Sequence, residues 1–104
     1  MLLSTADTIA GKTVVKHLGL VRGNTIRARH IGRDILAILH NFVGGEISDY
    51  TKLMAESREQ SIDRMCEEAK KLGANAIITI RFSTSEVMNS AAEILVYGTA
   101  VVVE

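Results

Sequence analysis

The sequence predicts a small α+β domain, and three observations carry that reading. The stretch Ser48–Leu72 places apolar and polar residues at helical spacing and stops at Gly73. It turns at once into a strand-like run, Ala76-Ile77-Ile78-Thr79-Ile80-Arg81-Phe82. Two further runs, Thr13–Ala28 and Glu93–Val103, are rich in Val, Ile, Leu and Thr.

In chain order, Met1–Leu3 reads as a short leading strand, Ser4–Thr8 as polar loop and Gly11-Lys12 as a turn. Thr13–Ala28 reads as one long, bent strand. Gly19 and Gly23 inside it point to a bulge, a bend or a close backbone approach, and Gly23-Asn24 leaves a hairpin turn as the alternative. Ile31–Phe42 repeats apolar residues at helical spacing and ends before Gly44-Gly45.

The main helix has Ser48 or Asp49 as its N-cap. Its inward stripe is Tyr50, Leu53, Met54, Ser57, Arg58, Ser61, Ile62, Met65, Ala69 and Leu72. Lys70 and Lys71 suit the negative helix end, with Gly73 as the C-cap. After the next strand, which Ser83-Thr84-Ser85 can extend, Glu86–Ala92 reads as a loop or hairpin connection. The last strand, Glu93–Val103, is apolar on both faces.

Length and composition set bounds. A chain of 104 residues is one modest domain, 1–104. It has no Trp, two Phe and two Tyr, so its core is built from Ile, Leu, Val, Ala and Met. Such a core buries little area per subunit, and a last strand apolar on both faces needs more cover than one helical layer provides. Burial at subunit contacts answers both needs. Twelve acidic and twelve basic residues cancel, which gives no global field toward nucleic acid or an anionic membrane. One cysteine, Cys66, excludes an intramolecular disulfide and any CxxC motif, in keeping with a reducing compartment. No signal-peptide pattern is visible at the start, and no apolar run approaches the ~20 residues of a membrane span. The expectation is a cytoplasmic protein.

An ordered set of short motifs runs through the chain. It comprises Gly11-Lys12, Leu18-Gly19-Leu20-Val21-Arg22-Gly23, Arg33-Asp34, Gly44-Gly45, Tyr50, Arg58, Leu72-Gly73-Ala74-Asn75-Ala76 and Tyr97-Gly98-Thr99-Ala100-Val101. In order and spacing this set resembles the YbjQ-like family, also designated UPF0145, over essentially the whole chain. The resemblance implies a two-layer β-β-α-α-β-β, dodecin-like subunit with an antiparallel sheet, assembled as a homopentameric ring. It also implies no defined function beyond a heavy-metal-binding label.

Arg58 stands in the middle of the expected inward stripe. A buried guanidinium needs a carboxylate partner, because an unpaired buried charge is costly. Asp34 is the first candidate; Glu46 and Glu68 are others. Arg58 and Asp34, with Tyr50 and Arg33 from the motifs that carry the resemblance, are the candidate ligand or interface residues, with a structural ion pair as the plainer reading of Arg58. Cys66 is the candidate ligand for a soft metal ion, the only cofactor suggested. Its plainer reading is a small buried hydrophobe at a packing contact. One thiolate per chain cannot close a four-ligand site, so further thiolates would come from other subunits.

His17, His30 and His40 lack metal-ligand spacing. Arg22, Arg27, Arg29, His30 and Arg33 form a basic cluster, ordinarily a solvated face and, as a sharper reading, an anion site. No nucleophile–base pair or acid pair appears, so an enzyme is not the expectation. The reading that results is a homo-oligomeric binding protein holding a small ligand or soft metal at subunit interfaces, without membrane or nucleic-acid partners. The alternative is a structural or regulatory ring that recruits a protein.

Overall fold

The computed structural model describes residues 1–27, 48–88 and 91–104. Among these, β1 (Leu2–Leu3), β2 (Val14–Arg27), α1 (Ser48–Lys71), β3 (Ala76–Met88) and β4 (Ala91–Val103) form a four-stranded sheet, in the order β1-β3-β4-β2, with α1 packed on one face. The helical segment expected at Ile31–Phe42 lies outside the described residues.

The expected long strand is present as β2, and Gly23-Asn24 makes no hairpin. Its two interior glycines act differently. Gly19 has φ +119° beside a register shift between His17 and Gly19 and is a bulge residue. Gly23 is the close-approach residue. A Cβ there would overlap the main-chain oxygen of Ser61 and lie 2.5 Å from the main-chain nitrogen of Met65. The Glu86–Ala92 connection is shorter than expected, because β3 runs on to Met88 and β4 begins at Ala91, with Glu86 paired to Ala92 and Met88 to Ala91.

The sheet is mixed rather than antiparallel. β1 pairs in parallel with β3, Leu2 opposite Ala76 and Leu3 opposite Ile77. β2 and β3 both run antiparallel to β4, so β1 and β2 point the same way from opposite edges. Residues 4–13 make the crossover that parallel strands require. That crossover passes over the face opposite α1, where Ile9 packs on Ala76, Ile78, Val101 and Val103. It closes at Thr13, which exchanges backbone hydrogen bonds with Glu104 (2.9 and 3.0 Å). The main core lies on the α1 face: Val21, Met65, Ala69, Ile77, Ile80, Val96 and Ala100. β4 is thus apolar on both sides for two reasons, the helix-side core and the crossover.

β3 carries one irregularity with a visible consequence. Thr79 has φ +54°, a strained conformation for a β-branched residue, at a register shift between Ile78 and Arg81. An extra residue here reverses the alternation of the strand. Ile80 turns into the core, 6% exposed, and Arg81 emerges on the opposite face. The crossover holds the bulge from outside. Thr79 N–H donates to Ala6 O (2.9 Å), Ile80 N–H to Ser4 O (3.1 Å) and Arg81 Nη1 to Thr5 O (2.7 Å).

Candidate functional site

Three polar residues, Ser57, Arg58 and Ser61, interrupt the apolar stripe expected on the helix. The structure divides these three residues. Ser57 and Ser61 are fully buried against β2 and β4. Ser57 O accepts from Thr25 Oγ1 (3.2 Å) and from Ser61 Oγ (3.0 Å). The Ser61 hydroxyl also lies 2.8 Å from Thr25 Oγ1 and 3.2 Å from Ile94 O. Small side chains four apart on the helix, facing Gly23 on the strand, let the two backbones meet. The hydroxyls then satisfy one another in the space that remains. This cluster locks the position of α1 and offers no open valence to a ligand.

Arg58 is exposed, which corrects its expected place in the inward stripe. The reason is geometric. Ser57, Ser61, Met65 and Ala69 are the buried row, and Arg58 lies about 100° further round the helix. Its own row is the flank of Met54, Ile62 and Cys66, which is half-buried, and a guanidinium there reaches water. Leu72, also expected inward, is 46% exposed. The helix has ended at Lys71, and the turn closed by Leu72 N–H to Ala69 O and Gly73 N–H to Lys70 O carries it outward. Asp34 and Arg33 lie outside the described residues. Tyr50 stands in the first turn of α1, with its side chain outside them. The Arg58–Asp34 pair is therefore not assembled by what the structure describes.

Cys66 is half-buried at the edge of the helix-side core. Burial, with the nearby Asp63 carboxylate, raises the thiol above its ordinary value, against smaller opposing effects of Lys70 and the chain's amino group. A thiol held protonated reacts slowly, since the thiolate is the nucleophile. Iodoacetamide should alkylate Cys66 at pH 8 more slowly than a cysteine in an unfolded peptide, and Asp63→Asn should quicken it. Equal rates in all three would contradict this arrangement.

The described residues of one chain do not fit a metal ion. No three His, Cys, Asp or Glu side chains gather among them. His17 is exposed on β2, and His30 and His40 lie outside the described residues. A soft metal would need Cys66 from more than one chain.

The face of the sheet opposite α1 is the feature the sequence did not single out. Beyond the crossover it exposes Leu20 (65%) and Ile26 (56%) on β2, with Tyr97 (37%) and half-buried Leu95 on β4. Alternation along β2 and β4 was visible in the sequence. Which half of that second face the crossover leaves bare depends on the strand order, and that was not.

An α+β domain with one described helix on a mixed sheet, and no assembled catalytic or metal-ligating group among the described residues, defines the class. The chain belongs to the UPF0145 family: its sequence matches the family profile described as "Putative heavy-metal-binding" over residues 1–104. A UPF0145 protein of Dehalococcoides mccartyi is 58% identical over 104 residues, all of both chains. One from Methanosarcina acetivorans is 54% identical over 101 residues, 97% of this chain and 95% of that one. A solved structure of a protein of unknown function, a DUF74 family member from Pediococcus pentosaceus, shares the fold with a TM-score of 0.65 at 17% identity, covering 100% of this chain and 98% of that one. No described helix is long and apolar enough to cross a membrane.

Proposed function

We propose that this chain is a cytoplasmic homo-oligomeric binding protein, a pentamer as its family resemblance implies, that holds a small ligand at the boundary between subunits and is not an enzyme. The observation that carries this reading is the bare half of the sheet face opposite α1. Leu20, Ile26, Leu95 and Tyr97 put apolar surface beside the segment that the crossover covers, interleaved with exposed Arg22 and Asn24 on β2. A small domain with an aliphatic core gains stability by covering such an area with a second copy of itself. A ligand at the margin of that contact would be bound by side chains already rigid on the sheet. The soft-metal form of the reading requires Cys66 of several subunits to meet.

Solution mass and metal analysis test the two parts. Light scattering of untagged protein should give a multiple of the 11.3 kDa chain, and Leu20→Glu should reduce it. A stable monomer at micromolar concentration would overturn the assembly. Elemental analysis of the same sample, with Cys66→Ser as control, decides the metal form: bound metal absent from the Cys66→Ser protein supports it, and no bound metal removes it.

A further inference from the structure

We propose that Arg22, Tyr97 and Arg81 form a binding row for a phosphate-bearing small molecule on the sheet face opposite α1. The three residues are directly opposite one another on adjacent strands: Arg22 pairs with Tyr97 across β2 and β4, and Arg81 pairs with Tyr97 across β3 and β4. Directly paired residues share a face, so the two arginines flank Tyr97 on neighbouring strands. With strands about 4.8 Å apart, the two arginine Cα atoms are about 10 Å apart, within which two long side chains can close on a single oxyanion. All three side chains are exposed.

The second observation is the strain at Thr79. Were the same residues paired in regular register, with no bulge, Arg81 would face the core and Ile80 would stand beside Tyr97. The strained turn brings Arg81 into the row, and the crossover then fixes it. Arg81 Nη1 donates to Thr5 O (2.7 Å) and Ile80 O (2.8 Å), which leaves its other N–H donors for a ligand. Both of these partners are carbonyls, and among the described residues no carboxylate pairs with it. The Arg22 side chain makes no hydrogen bond or ion pair with another described residue. Glu93, the acid on this face of the described part of β2–β4, accepts from the Asn24 amide, Nδ2 to Oε2 at 3.1 Å, and Asp7 lies in the crossover. Two cations, of which Arg81 is held in place by the crossover, and a hydroxyl donor match a dianionic phosphate better than a carboxylate. The apolar residues in the neighbouring rows, Leu20 and Leu95, suit a ligand with an apolar body.

This names the ligand class for the binding face described above, and so rests on that reading of the face. The row is complete within one chain and does not need the assembly. Inorganic phosphate at constant ionic strength is the probe, read by amide and arginine Nε chemical shifts of the whole protein. Saturable shifts should centre on Arg22, Arg81 and Tyr97. Arg22→Gln should weaken the affinity about tenfold, as expected for losing one charged hydrogen-bonding partner. Lys71→Gln, an exposed cation at the far end of α1, should leave it unchanged. Shifts in the unaltered protein no larger than those from chloride at equal ionic strength would overturn the proposal, as would equal affinity in Arg22→Gln. Solution mass of the same samples separates the two readings. An oligomer without phosphate binding removes the row and leaves the assembly; a monomer that binds phosphate does the reverse.

Discussion

Gly23→Ala is expected to destabilise the domain by about 3 kcal/mol or more, the upper range for overpacking. The added methyl would overlap Ser61 O, lie 2.5 Å from Met65 N and meet Arg64 Cβ at 3.0 Å. Two of these are main-chain atoms, so no rotamer change relieves the contact. α1 must lift from β2, and in lifting it stretches the Thr25–Ser61 contact (2.8 Å) and the bond from Arg64 Nη1 to Asn24 O. Two effects therefore act together: steric overlap, and loss of a buried hydroxyl network that then has no water to replace it. Urea denaturation at fixed protein concentration gives the measurement. A fall of less than about 1 kcal/mol would show that helix and strand are not in backbone contact at this point.

Met65→Ala is expected to cost about 2–4 kcal/mol, the range for truncating a long side chain in a filled core. Met65 is fully buried among Val21, Ala69, Ile77, Ile80, Val96 and Ala100, where β2, β3, β4 and α1 converge. Its neighbours are anchored on three strands and cannot collapse onto the space. Met65→Leu keeps most of the volume and should cost less than about 1.5 kcal/mol. If the two variants melt together, the cavity is not what sets the loss.

The sequence made the elements legible because periodicity needs only neighbours in the chain. α1, its stop at Gly73 and the long β2 are read from local spacing. The parallel pairing of β1 was not legible, since it depends on which edge the crossover reaches. The site was less legible for a related reason. A serine on an inward stripe reads as a polar interruption until the facing glycine is known. With Gly23 opposite, Ser57 and Ser61 become the residues that permit contact, and the centre of the buried face moves away from Arg58. Arg81 carried no signal at all. Strict alternation along Ala76–Phe82 places it on the wrong face, and only the Thr79 bulge corrects that.

The position of β4 between β2 and β3 governs how this domain can be made. Among the described residues β2 has no strand partner until β4 exists, and the two ladders of β4 join residues as far apart as Val14 and Val103. During synthesis, residues of β2 leave the ribosome long before their partners and must wait with an edge of unpaired N–H and C=O groups. Contacts of such long sequence separation close slowly, so folding should be a late and concerted event. The waiting strand is the segment most in need of protection from other chains.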